Sequence, residues 1–290
     1  MEQNSFSRIV AGTMSWGQWG MQLSKIEMIT LIERCVLEGI TSFDHADIYG
    51  GYTTEAEFGN AFAESGIARQ DIQLISKCGI QYISDNRNNT VKHYNYSKEY
   101  IIWSAEESLK HLKTDYLDLL LLHRPSPLMH PENIAEAIGI LKQQGKILDF
   151  GVSNFTRSQM ELISNTQDIS CNQIEFSLTQ HKAMHDGVLD FMLLNKITPM
   201  AWSPLGLVFK NDSEQTRRIH KQLGTLLEKY NATEDQLLLA WILKHPSGIH
   251  PVIGTTTKAR IQNAVKAIDI ELQLEDWFKI LVASQGHKVP

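Results

Sequence analysis

The sequence predicts an α/β fold built as one closed (β/α)8 barrel. Short apolar runs alternate about eight times with longer segments of helical period. No change of composition divides the chain, and its 290 residues suit a barrel that commonly takes roughly 250 as a single domain. The doubly wound open sheet is the competing architecture. It usually carries G-x-G-x-x-G after its first strand, whereas the turn here reads AGTMSWGQWG.

Eight runs are predicted as strands: residues 8–15, 41–47, 72–79, 116–123, 148–154, 169–177, 197–205 and 250–256. Several, such as LDLLLL at 117–122, are almost continuously apolar, which marks strands covered on both faces of a parallel sheet. Between them, residues 25–37 place Ile26, Ile29, Ile32 and Val36 three to four apart, the period of one helix face. Residues 132–144 repeat this with Ile134, Ile138 and Leu141, and Gly145 follows as a C-cap. Residues 97–113, 156–165, 235–244 and 257–268 are the further helices, with Pro246 stopping the third of these. Two segments break the rhythm. Residues 80–96 are long, polar and aromatic without helical period, and residues 208–213 follow the seventh strand. Both are candidate lids or plain surface insertions.

The formal net charge of −6 argues against a protein built to hold nucleic acid. Three cysteines (Cys35, Cys78 and Cys171) with no C-x-x-C pair make a disulfide framework improbable and fit a reducing compartment. The N-terminus lacks the basic-then-apolar run of a signal peptide, and no stretch reaches the ~18 apolar residues of a membrane span. A cytoplasmic protein acting as one domain over residues 1–290 is expected. Nothing in the sequence bears on oligomeric state.

Barrel active sites use the C-terminal ends of strands. Four ionisable residues stand at such ends: Asp44, Tyr49 five residues later, Lys77 and His123. Singly, each has a bland reading as a cap, a packed aromatic or a core histidine. Lys77 resists it, because a charge closing an apolar strand is expensive unless paired. Together the four form a general acid: a Lys ammonium favours a phenolate, Asp44 keeps it charged, and His123 orients a carbonyl oxygen. The hydride for a reduction must then come from a bound cofactor. Lys77 as the Schiff-base lysine of an aldolase is an alternative. A metal site is not expected, because the histidines lack ligand spacing. Met14, Trp16 and Trp19, in the turn after the first strand, are candidates to line an apolar substrate pocket.

In chain order, SFDHADIYGGYTTEAEFG, LISKCG, DYLDLLLLHRP, GKILDFGVSNF, CNQIEFSL, AWSPLG and VIGTTTKARI resemble successive motifs of the aldo-keto reductase superfamily, in a bacterial branch of oxidoreductases. The resemblance implies a barrel with NADP(H) extended across its C-terminal mouth and a small carbonyl substrate. Asp44, Tyr49, Lys77 and His123 match the catalytic set, with Tyr49 as proton donor. Ser153, Asn154 and Gln173 match carboxamide-binding positions, and Trp202 an aromatic that stacks on the nicotinamide. Ser203, Leu205 and Gly206 match the pyrophosphate segment. Gly254, Thr255, Lys258 and Arg260 match the segment that grips the adenosine 2′-phosphate, and Arg260 favours NADPH over NADH. The chain departs from the family at His45, where Thr is frequent, and at Gly254, where many relatives carry Lys. The expected activity is reduction of aldehydes or ketones to alcohols. Because some members act as regulatory or redox-sensing subunits, an NADPH-binding sensor with little turnover is the second expectation.

Overall fold

The structure, a computed structural model, describes residues 6–290; the first five, on which the signal-peptide reading partly rests, lie outside the described residues. Ten strands form in order: β1 (Val10–Gly12), β2 (Ser42–Asp44), β3 (Gln73–Cys78), β4 (Ile80–Gln81), β5 (His93–Tyr94), β6 (Leu117–Leu122), β7 (Ile147–Ser153), β8 (Cys171–Glu175), β9 (Thr198–Trp202) and β10 (His250–Ile253). Eight of them close into a parallel barrel of order β1-β10-β9-β8-β7-β6-β3-β2. Seven of these fall inside the predicted runs, and β7 begins one residue before its run of 148–154.

The period-two pleat sorts the apolar runs into two cores. In β6, Leu119 and Leu121 point into the barrel with Val10, Ile75, Cys171, Met200 and Val252. Leu120 and Leu122 point outward and join the larger layer beneath the helices. Lys77 lies two residues beyond Ile75 in β3, so it points into the same interior, one step nearer the C-terminal mouth.

The helices are α1 (Lys25–Leu37), α2 (Thr54–Phe62), α3 (Lys98–Leu112), α4 (Pro131–Gln143), α5 (Arg157–Ser164), α6 (Val188–Leu194), α7 (Glu214–Gly224), α8 (Leu227–Tyr230), α9 (Glu234–Leu243), α10 (Lys258–Lys266) and α11 (Leu274–Gln285). The starts of α1 and α5 carry capping boxes, Ser24 with Glu27 and Thr156 with Gln159, which satisfy otherwise orphaned N–H groups. Gly145, at φ 68°, ends α4 as expected. Among the described residues no helix is long and apolar enough to cross a membrane.

Residues 80–96 are not an unstructured loop. Strands β4 and β5 pair antiparallel, Ile80 with Tyr94 and Gln81 with His93, in a hairpin over the mouth. Its period was hidden because each strand has only two residues. Polar pins hold it: Asn86 Nδ2 donates to Gly51 O at 2.8 Å, and Tyr82 N donates to Tyr52 Oη at 2.8 Å.

Candidate active site

The ends of β2, β3 and β6 bring Asp44, Lys77 and His123 to the mouth. Tyr49 arrives on the short helical turn Tyr49–Gly51 that follows β2. Lys77 is 1% exposed, and its ammonium is fully occupied. It bonds both Asp44 carboxylate oxygens at 2.7 and 2.8 Å, the His45 carbonyl at 2.8 Å and Tyr49 Oη at 3.1 Å. Burial by itself would lower the lysine pKa; Asp44 and Tyr49 reverse this, and the net shift is upward. Lys77 therefore stays charged. A charged, enclosed amine has no lone pair for attack on a carbonyl, which argues against the aldolase alternative.

Tyr49 is 8% exposed. Lys77 acts in the direction expected from sequence, favouring the phenolate, but it does not decide the outcome. Burial raises the pKa more than Lys77 lowers it, and Asp44 adds to the rise. The expected lowering is thus corrected: the phenol is held protonated. Its oxygen accepts from Lys77, so its own hydrogen is directed elsewhere.

The rings of Tyr49 and His123 meet edge to face, with centroids 6.1 Å apart at 80°. Burial, and then Lys77, Arg124 and Lys92, hold the imidazole well below its ordinary pKa. His123 is therefore neutral, and its buried Nδ1 has no hydrogen-bond partner among the described residues. A neutral imidazole offers one N–H to an oxygen without being a proton reservoir itself.

Beside this set lies a polar chain. Gln173 Nε2 donates to Asp44 Oδ1 at 2.8 Å, Ser153 Oγ donates to the Gln173 carbonyl at 2.9 Å, and Asn154 Nδ2 donates to Ser153 Oγ at 2.7 Å. Trp202 Nε1 donates to Asn154 Oδ1 at 2.9 Å, which fixes the indole, itself partly exposed. Asn154 and Ser203, just past β7 and β9, have left-handed backbones at φ 62° and 51°, a costly state for residues other than glycine that turns both side chains at the mouth. Gln173 Oε1 and the second Asn154 N–H remain open to a flat amide, so Ser153, Asn154, Gln173 and Trp202 fit a nicotinamide.

Ser203, Leu205 and Gly206 follow β9. A Cβ on Gly206, at φ 54°, would fall 2.1 Å from Thr179 Oγ1, so the glycine admits the neighbouring loop. Gly254 and Thr255 lead into α10, where Ser15 Oγ donates to the Gly254 carbonyl at 2.9 Å. The first turn of α10 has no side-chain cap and no acid. Lys258 and Arg260 are exposed there, and neither has an ion-pair or hydrogen-bond partner among the described residues. Uncapped N–H groups beside two free cations suit a phosphate.

The three pocket candidates separate. Trp19 lies over Tyr49, centroids 6.2 Å apart, and against Tyr82 of the hairpin at 5.1 Å. Met14 is exposed on the same turn. Trp16 does not line the mouth: it is 1% exposed and packed on Phe43 and Phe58. Its large apolar ring seals the loop onto the core beneath. Val208, at the start of the second candidate lid, is also buried, whereas Phe209 beside it is exposed. Sequence reasoning passed over Tyr82 and Glu55, and it placed Asp47 at the end of the second strand without giving it a role; Asp47 and Glu55 are two buried acids behind Lys77. Burial raises these to pKa values of about 8 and about 7.

The family model described as "Aldo/keto reductase family" matches residues 8–282. The chain is 43% identical to "Uncharacterized oxidoreductase YcsN" of Bacillus subtilis (strain 168), covering 100% of this chain and 98% of that one. It is 34% identical to "6-dehydroglucose reductase" of Agrobacterium fabrum, over 98% of this chain and 96% of that one. The crystal structure of the thermostable aldo-keto reductase Tm1743 with the inhibitor epalrestat superposes with a TM-score of 0.82 at 27% identity, covering 97% of each chain.

Proposed function

As the chain belongs to the aldo/keto reductase family, we propose that it is an NADPH-dependent reductase of aldehydes or ketones, with residues 1–290 acting as one domain. When bound, the cofactor supplies a hydride from C4 of its nicotinamide to the carbonyl carbon. Tyr49 donates its phenolic proton to the carbonyl oxygen, and the product is an alcohol. The phenolate left behind sits beside the Lys77 ammonium, which stabilises it until solvent returns a proton. Asp44 keeps Lys77 charged and in place. His123, neutral, directs an N–H at the same oxygen as negative charge develops there. Ser153, Asn154 and Gln173 hold the carboxamide, and Trp202 supports the ring. Ser203, Leu205 and Gly206 follow the pyrophosphate. Gly254, Thr255, Lys258 and Arg260 take the 2′-phosphate. Met14 and Trp19 line the substrate side.

The observation that carries this reading is the saturated Lys77 ammonium, bonded to Asp44, the His45 carbonyl and Tyr49, which leaves the Tyr49 proton free for a substrate oxygen. The relative named 6-dehydroglucose reductase makes aldehydes of small polar molecules the first class to try. The test is a titration of the purified protein with NADPH and NADH, followed by quenching of tryptophan fluorescence, and then a panel of aldehydes and ketones. Tighter binding of NADPH and consumption of it with an aldehyde support the proposal. No binding of either nucleotide overturns it. Binding without turnover on any carbonyl favours the regulatory reading.

A further inference from the structure

The residue that follows His123 has no role in the scheme above. Arg124 is half-buried, and its guanidinium lies 5.4 Å above the ring of Trp202. No carboxylate pairs with it and no acceptor bonds its side chain among the described residues. Half-buried guanidinium groups normally find an anion or several carbonyls, because their five donors are otherwise wasted.

The main chain at this position is fixed from both sides. Tyr96 Oη donates to the Arg124 carbonyl at 2.5 Å and accepts from Arg124 N at 3.1 Å. Tyr96 reaches there by packing against Gly79: a Cβ at Gly79, whose φ is 109°, would fall 1.9 Å from the Tyr96 ring. Arg124 is thus presented at the mouth by a braced backbone, not by a loose loop.

Its charge is felt at the reacting groups. Arg124 acts on both Tyr49 and His123, and Lys92, from the hairpin turn between β4 and β5, acts on His123 as well. Asp44, the acid that touches this set, is already taken by Lys77 and Gln173. A nicotinamide resting on the indole face that Arg124 now covers would leave the guanidinium without even that contact. What remains for it is a group on the substrate.

We propose that Arg124 binds an anionic group, a carboxylate or phosphate, carried by the carbonyl substrate, and so selects oxo-acids or phosphorylated aldehydes over neutral ones. This rests on the carbonyl-reductase reading. Arg124 takes no part in proton transfer. It positions the substrate through a bidentate, charge-assisted contact at a distance from the carbonyl.

The test uses matched pairs: 4-formylbenzoate against its methyl ester, and glyceraldehyde 3-phosphate against glyceraldehyde. The wild-type protein is expected to favour the charged member of at least one pair about tenfold or more in kcat/KM. Which pair shows the preference separates carboxylate from phosphate. Added salt should reduce it. In Arg124→Met the charged-to-neutral ratio should fall about 30-fold, mainly through KM, and Arg124→Lys should restore part of it. A second readout needs no turnover: fluorescence titration with 4-formylbenzoate and its ester, with and without NADP+. If neither aldehyde is reduced yet the acid binds more tightly and Arg124→Met removes the difference, only the reductase reading fails. Equal kinetics and equal binding for charged and neutral members, or a ratio unchanged in Arg124→Met, overturn the role of Arg124.

Discussion

Lys77 Nζ donates to Tyr49 Oη across 3.1 Å while both carboxylate oxygens of Asp44 hold the same ammonium. This pair is buried just above the apolar cluster of Val10, Ile75, Leu119, Leu121, Met200 and Val252 in the barrel interior. Removing one partner strands the other charge. Lys77→Met is expected to destabilise the protein by about 3–5 kcal/mol, and the double change Asp44→Asn with Lys77→Met to recover part of the loss. Urea unfolding of the wild-type protein and the two variants, with slopes compared, measures this.

Asp47 and Glu55 predict an unusual pH dependence. Burial raises them from ordinary values of 3.8 and 4.5 to about 8 and about 7. In that window the folded chain holds protons that the unfolded chain has released. Their contribution to stability is therefore full below the ordinary values and is lost as pH rises through about 7 and about 8. The melting temperature should fall from pH 5 to pH 9, by about 2–4 °C for each kcal/mol lost. Asp47→Asn should flatten that slope; an unaltered slope in this variant would remove Asp47 from the account.

Trp16 and Trp19 stand three residues apart and should behave oppositely. Trp16→Ala empties a core site and should cost about 3–5 kcal/mol. Trp19→Ala, at a residue 38% exposed above Tyr49, should cost about 1 kcal/mol or less and raise KM for carbonyl substrates. Thermal melts and steady-state kinetics on both variants separate the roles.

Lys258 and Arg260, the cations in the first turn of α10, predict cofactor choice. Arg260→Ala should weaken NADPH by about 10- to 100-fold, about 1.4–2.7 kcal/mol, and change NADH little. Equal loss for both nucleotides would mean that Arg260 does not touch the 2′-phosphate.

The eight barrel strands were legible because burial on both faces writes itself as uninterrupted apolar runs, as in LDLLLL. The helices α1, α3, α4, α5, α9 and α10 were legible from a periodic apolar face or a cap, although α1 packs on Met28, Leu31, Ile32 and Cys35 and leaves Ile26, expected on the buried face, exposed. Helix α7 (EQTRRIHKQLG) was passed over because it buries only Thr216, Ile219 and Leu223. Helix α11 was passed over because it follows the last strand and its helix, outside the repeat. Strand ends pointed to Asp44, Lys77 and His123, since a charge there needs a partner. Trp16 was misplaced because an aromatic in a mouth loop has the same local sequence whether it faces substrate or core. The net direction at Tyr49 was misjudged because burial, which outweighs Lys77, is a property of the assembled mouth. Arg124 was invisible as a site for the same reason: that it has no anionic partner among the described residues emerges only once the strands and loops around it are assembled.

The central claim is that Tyr49 supplies the proton. It is tested most directly by Tyr49→Phe, which removes one oxygen and keeps the ring between Trp19 and His123. Stopped-flow absorbance at the reduced-nicotinamide band, with an aldehyde that the wild-type protein turns over, should show kcat falling by about 1,000-fold or more while the dissociation constant for NADPH stays within about threefold. Turnover in Tyr49→Phe equal to that of the wild-type protein would contradict the account.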